Sequence, residues 1–360
     1  MDGPTRAARA PLAITQGDCC GIGPEIVAQL FRAADGDGAF VVGDVEVMRR
    51  AAALTGGGLA TARIASPRDL PAVPPGCIPV WVPPGLPPGL AGAPLGRVDP
   101  RAGAGAAVCI EQAAGLALRG EVAAVVTAPI HKEALAAAGV GYPGHTEMLQ
   151  ALAAADGRAP PVRMMLANDE LRTVLVTIHV SLRRAIEQVT FDAVLQTIRI
   201  AHAASARWGQ PAPRIAVAGL NPHAGEGGLF GDEELAIIGP AVEAARREGI
   251  DARGPFAPDT VFMRARHAPG HPGEFDIVVA MTHDHGLIPV KYLGVERGVN
   301  VTLGLPLVST SPDHGTAFDI AGRGASSRRS GCPRAPPRSA RAGERLRACE
   351  LFALEPSARR

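Results

Sequence analysis

The stretch from Phe275 to Gly324, FDIVVAMTHDHGLIPVKYLGVERGVNVTLGLPLVSTSPDHGTAFDIAGRG, decides the fold. Its run Ile277 to Met281 is short, continuous and rich in Val, the pattern of a buried strand. His283 and Asp284 stand where that strand should end. In open α/β sheets, ligands bind beyond the carboxyl ends of the strands. Two other apolar runs end the same way: VLVTIH delivers His179, and IAVAGLNPH delivers His223. Taken singly, each His reads more readily as a structural residue than as a ligand. Three neutral imidazoles at three strand exits suit one divalent ion and leave coordination positions open.

Outward from this stretch, strand and helix signals alternate. Leu12–Thr15 reads as a strand, followed by the Gly-rich GDCCGIGPEI. Pro24 and Glu25 suit the first turn of a helix there. Further strands are expected near Phe40–Gly43, Ile78–Val82 and Ala123–Thr127, with a helix over Ala104–Arg119. Met164–Leu166 and Leu171–His179 read as a hairpin, and Thr190 as the cap of a helix over Phe191–Ala204. Asp232–Glu248 reads as a helix, and Gly254–Thr260 and the residues after His283 as loops. The GxGxxG of Gly139–Gly144 follows a helix-like segment and carries Pro143, so it is no dinucleotide fingerprint.

Composition bounds the rest. The chain has 360 residues, 47% hydrophobic and 20% charged, enough for two domains. A formal charge of +1 gives no reason to expect a nucleic-acid partner, and no apolar run has the length of a membrane span. Six Cys without a CxxC pair read as free thiols of a reducing cytoplasm, and adjacent Cys19–Cys20 is not a usual ligand spacing. MDGPTRAARAPLA lacks the apolar core of a signal peptide, so the expected localisation is cytoplasmic. From Arg328 to Arg360 the text turns Arg- and Pro-rich, as a reading-frame shift or a basic tail would give.

The motifs NPHAGEGGLFGDEE, THDHGLIPVKYLG, RGVNVTLGLP and TSPDHGTAFDIAG resemble the 4-hydroxythreonine-4-phosphate dehydrogenase family of pyridoxal phosphate (vitamin B6) biosynthesis. TAPIHKEAL, GHTEML and the Gly-rich opening extend the resemblance over roughly residues 11 to 327. It implies a two-domain α/β/α fold of the isocitrate/isopropylmalate dehydrogenase type, with the active site in the interdomain cleft. The implied domains are 1–140 with 305–327, then 141–304, with 328–360 as an atypical tail. The implied reaction is NAD- or NADP-dependent oxidation of the C3 hydroxyl of 4-phosphohydroxy-L-threonine. Decarboxylation to 3-amino-2-oxopropyl phosphate follows. The alternatives are another hydroxy acid (a four-carbon sugar-acid phosphate or a cis-diol carboxylate) or a non-catalytic remnant.

The resemblance also assigns roles. His179, His223 and His283 would bind a divalent metal (Zn, Mg or Co). In a homodimer, the first two would come from one chain and His283 from the other. His145, Thr146, Lys291 and Asn300 would bind substrate, with Lys291 and Asp284 in acid/base or orienting roles. Asp259 and Asp313 are further orienting candidates. Gly304, Pro306 and Asp313 mark the region for the nicotinamide cofactor. Ser309 stands where the family's substrate-binding Arg belongs, and supplies no charge for a phosphate. Arg297 is a candidate substitute. Cys19–Cys20 replaces Pro-Ala or Pro-Gly, and His285 replaces Gln beside a ligand.

Overall fold

The computed structural model describes residues 10–33, 36–294 and 298–324. The 328–360 tail and Arg297 lie outside them. Among the described residues there are twelve strands: β1 Leu12–Thr15, β2 Ala39–Val42, β3 Ala60–Ile64, β4 Cys77–Trp81, β5 Ala124–Thr127, β6 Arg163–Ala167, β7 Arg172–Leu175, β8 Ile215–Ala218, β9 Ala252–Phe256, β10 Ile277–Ala280, β11 Val299–Leu303 and β12 Ser309–Pro312. The chain divides into two compact units, with breaks between 160 and 161 and between 305 and 306. Helix His145–Leu152 packs on helix Pro100–Leu118. It therefore belongs to the first unit, not to the second as the sequence boundary at 140 had it.

In the first unit the strands run β3-β4-β2-β1-β5-β12, all parallel. β1, β2 and β5 are wholly buried, so they read as continuous apolar runs. Helix Gly23–Arg32 crosses from β1 to β2, and Asp44 caps helix Val45–Leu54 by accepting from the Glu46 and Val47 N–H groups at 2.7 and 2.9 Å. Gly17 opens the Gly-rich turn at φ 71°, where a Cβ would lie 2.5 Å from the Pro129 carbonyl oxygen. Only glycine fits that approach. Glu25 in the first helical turn is buried and accepts from the Gly322 and Gly324 N–H groups at 2.6 and 3.1 Å. It ties the last described residues to the first crossover.

The second unit runs β11-β6-β7-β10-β8-β9. β6 pairs antiparallel with β11 and β7, as the hairpin reading required, whereas β7, β10, β8 and β9 are parallel. Thr190 caps helix Phe191–Ser205 as expected, accepting from Ala193 N–H. Two readings are corrected. The residues after His283 form a helix, His283–Tyr292, which internal Gly286 and Pro289 disguise in the sequence. The expected loop from Gly254 begins inside β9.

Candidate active site

The register of three neighbouring strands assembles the site in the second unit. β10 lies between β7 and β8, with Ala280 opposite Leu175 and Val279 opposite Val217. All three strands point the same way, so their carboxyl ends share one edge. Beyond them, Val176 N–H donates to Ala280 O and Thr177 N–H to Met281 O, at 2.9 and 3.2 Å. The Thr177 hydroxyl adds a second bond to Met281 O at 2.8 Å. This zipper carries the two chain segments side by side to His179 and His283, whose ring centroids stand 5.5 Å apart. Gly286 allows the His283 helix to lie close on β7, because a Cβ there would meet the Leu175 side chain at 2.4 Å.

Asp284 Oδ1 lies 2.8 Å from His283 Nδ1. With Nδ1–H donated to that carboxylate, the Nε2 lone pair remains for a cation. His223 leaves β8 on the turn Pro222–Gly228 and is exposed. The turn is left-handed: His223, Ala224 and Glu226 have φ of 53°, 55° and 44°. Glu234, 3% exposed, holds the entrance to it. Its Oε1 accepts from the Leu220 and Asn221 N–H groups at 2.7 and 2.8 Å, and its Oε2 from Asn221 Nδ2 at 3.0 Å. Burial alone would raise the Glu234 pKa, but the bonds from Asn221 and Leu220 outweigh it and hold the carboxyl below its ordinary 4.5. The sequence reading missed Glu234. Its signal was the last acid of GDEE, placed to follow a Gly-rich turn.

The structure gathers part of the expected set within one chain. His179 and His283 are neighbours, yet among the described residues the three His do not close into one ligand cluster. Two side-by-side imidazoles, one braced by a carboxylate, nevertheless fit a divalent cation that takes further ligands from elsewhere. Lys291 lies in the last turn of the His283 helix, about 12 Å along its axis from His283. Asn300 is half-buried on β11, opposite Leu166, and Gly304 follows that strand with φ 93°. Asp259 is exposed. His285 has a buried Nδ1 without a partner, and burial holds its pKa below the usual value against the pull of Asp284. A cavity of about 210 Å³ adjoins His179, with Arg163, Thr177 and Gln188 in its wall. The Arg163 guanidinium is engaged with Thr197, Gln196 and the Val162 carbonyl, so it acts as wall rather than clamp.

In the first unit, His145 and Thr146 begin helix His145–Leu152 and are half-buried. The His145 Nε2 is enclosed and unpartnered. Burial pulls its pKa from 6.5 to about 4, against a hydrogen bond with the Ala128 backbone. His145 therefore stays neutral near pH 7. Its contribution to stability is present above pH 6.5 and is lost as pH falls towards about 4. An NMR titration of the His145 ring is expected to give a midpoint near 4, and a midpoint near 6.5 would show an open ring instead. Ser309 lies in β12, 4% exposed, opposite Val125. Pro306 is exposed and Asp313 half-buried.

Comparison with known proteins gives the class. A crystal structure of 4-hydroxythreonine-4-phosphate dehydrogenase from Klebsiella pneumoniae superposes with a TM-score of 0.82 at 41% identity, over 96% of this chain and 99% of that one. A 4-hydroxythreonine-4-phosphate dehydrogenase of Beijerinckia indica is 56% identical over 87% of this chain and 90% of its own. A D-threonate 4-phosphate dehydrogenase of Pectobacterium atrosepticum is 45% identical over 87% and 93%. The chain is a mixed α/β dehydrogenase acting on a CH–OH group. It belongs to the family of the pyridoxal phosphate biosynthetic protein PdxA, whose profile matches residues 37–332. Among the described residues no helix is long and apolar enough to cross a membrane.

Proposed function

We propose that this chain oxidises the C3 hydroxyl of 4-phosphohydroxy-L-threonine with NAD or NADP, and that the product decarboxylates to 3-amino-2-oxopropyl phosphate in vitamin B6 biosynthesis. The observation that carries the reading is the carboxylate-braced imidazole pair His179–His283 on the carboxyl edge of the sheet, in a chain 56% identical to a relative of that name. The relative that acts on D-threonate 4-phosphate stands lower, at 45%, so the first substrate is favoured.

His179, His223 and His283 would hold a divalent cation. When bound, that cation would supply Lewis acidity and the nicotinamide a hydride acceptor. Asp284 fixes the tautomer and rotation of His283. Neutral His145 offers hydrogen bonds without adding charge, and Thr146 and Asn300 orient the substrate's polar groups. Lys291 is the acid/base or charge partner. Ser309, buried and uncharged, cannot meet a phosphate as Arg would, which leaves Lys291 and Arg297 as the candidates for that charge. The cofactor would lie against Gly304, Pro306 and Asp313.

A homodimer with a shared site fits the exposed apolar side chains beside each imidazole. Ile178 and Val180 flank His179, Leu229 and Phe230 follow His223, and Ile288 and Tyr292 lie on the His283 helix. Exposed apolar groups concentrated on such segments are what a partner surface looks like. A second copy would supply the third ligand, which the resemblance gives as His283 and the pairing of His179 with His283 in one chain gives as His223. The described cysteines are free, in keeping with a cytoplasmic setting.

The test is NADH or NADPH formation with 4-phosphohydroxy-L-threonine, with and without added divalent metal, beside D-threonate 4-phosphate. Metal-dependent turnover with the first substrate at higher kcat/KM is expected. A preference for D-threonate 4-phosphate, or no turnover of either by the folded, metal-loaded protein, would overturn the reading.

A further inference from the structure

The Gly-rich turn between β1 and helix Gly23–Arg32 holds three chemically active side chains that the proposed reaction does not use. Asp18, Cys19 and Cys20 are 1%, 0% and 0% exposed. Their carboxylate oxygen and two sulfurs all lie within 4.8 Å of one another. Asp18 Oδ1 accepts from Cys20 N–H at 2.8 Å, but Oδ2 is buried without a partner. Such an orphaned buried oxygen is costly unless something absent from the protein chain satisfies it. The Cys19 thiol donates to the Leu90 carbonyl at 3.7 Å, with the Cys20 thiol beside it.

We propose that Asp18, Cys19 and Cys20 form a structural site for a thiophilic divalent cation of the zinc class. It is separate from the imidazole site and independent of the substrate reading. Two sulfurs and a carboxylate oxygen are the donors such ions select. On binding, each thiol gives up its proton to solvent as its metal–sulfur bond forms, and no electron is transferred. Three anionic donors around one dication leave a charge of −1. That residue of charge has local counterweights. Arg50 Nη2 donates to the Cys19 carbonyl at 2.6 Å, and the positive end of helix Gly23–Arg32 begins three residues on. Burial on all sides keeps bulk water from the site, and the three side-chain donors leave the fourth tetrahedral position to a water or a backbone carbonyl. Its consequence would be a fastened turn, where the resembling family has Pro-Ala or Pro-Gly to stiffen the same loop. The adjacent pair, an unpromising spacing in sequence, becomes a chelate because the turn folds the Asp18 carboxylate back over it.

Cd²⁺ is the probe, because cadmium–thiolate bonds absorb in the ultraviolet and cadmium–imidazole bonds do not. The purified full chain and its C19A/C20A variant are titrated side by side, which subtracts the other four cysteines. The wild type is expected to show one further equivalent of thiolate-bound Cd²⁺ and a Cd²⁺-dependent rise in Tm that the variant lacks. Asp18→Asn is expected to keep the absorption but weaken Cd²⁺ binding by about tenfold or more. Equal absorption in the wild type and the folded double variant would overturn the site. If the double variant does not fold, C19S and C20S carry the test singly, and Cd²⁺ affinities equal to wild type in both would overturn it as well.

Discussion

Replacing His283 with Ala is expected to lower metal-supported kcat/KM by about a thousandfold, equivalent to about 4 kcal/mol of transition-state stabilisation. Fold stability should change little, because the side chain is 37% exposed and packs no core. The companion variant Asp284→Asn separates ligation from orientation. It leaves His283 in place and removes the charged acceptor 2.8 Å from Nδ1. Metal affinity should fall about 10- to 100-fold, and activity should return as metal is added. His283→Ala should not be rescued in this way. Steady-state kinetics over a metal titration, with circular dichroism as the fold control, decides the matter. Activity of His283→Ala within threefold of wild type would remove this residue from the site.

Glu234→Ala is expected to cost about 4 kcal/mol, which is roughly 10 °C in Tm for a unit of this size. The residue is buried, and its loss strands the Leu220 and Asn221 N–H groups without an acceptor, while the Asn221 amide keeps its bond to Glu233 Oε2 at 2.6 Å. Those same bonds hold the chain as it enters the left-handed turn, where non-glycine residues cost about 1–2 kcal/mol each. Relaxation of the turn would displace His223, so weaker metal binding should accompany the lower Tm. The pH dependence follows from the depressed pKa. The Glu234 contribution is present above pH 4.5 and is lost as pH falls through its lower folded value. Calorimetry of wild type and Glu234→Ala between pH 3 and 8 tests both parts. A Tm within about 2 °C of wild type would show that the turn is held by other groups.

Glu234 marks where sequence reading stopped. Its role needs two segments, 220–221 and 233–234, whose contact no local pattern announces. The helix His283–Tyr292 was hidden for a related reason. Gly286 and Pro289 are poor helix formers, and the helix stands because Gly286 lets it pack against Leu175 and Thr173. By contrast, β1, β10 and the β6–β7 hairpin were legible because fully buried strands and polar turns leave short-range signatures. The cap at Thr190 was legible because its hydrogen bond spans three residues.

The sequence by itself therefore determined the α/β class, the strand exits that carry His179, His223 and His283, and the family, since each depends on patterns a few residues long. Only the tertiary structure decided that β10 lies between β7 and β8, which brings His283 beside His179. It alone placed His145 in the first unit with an enclosed ring, and folded Asp18 over Cys19 and Cys20. Strand order, burial and the meeting of distant side chains are set by packing summed over the whole chain, and no local window of residues contains that sum.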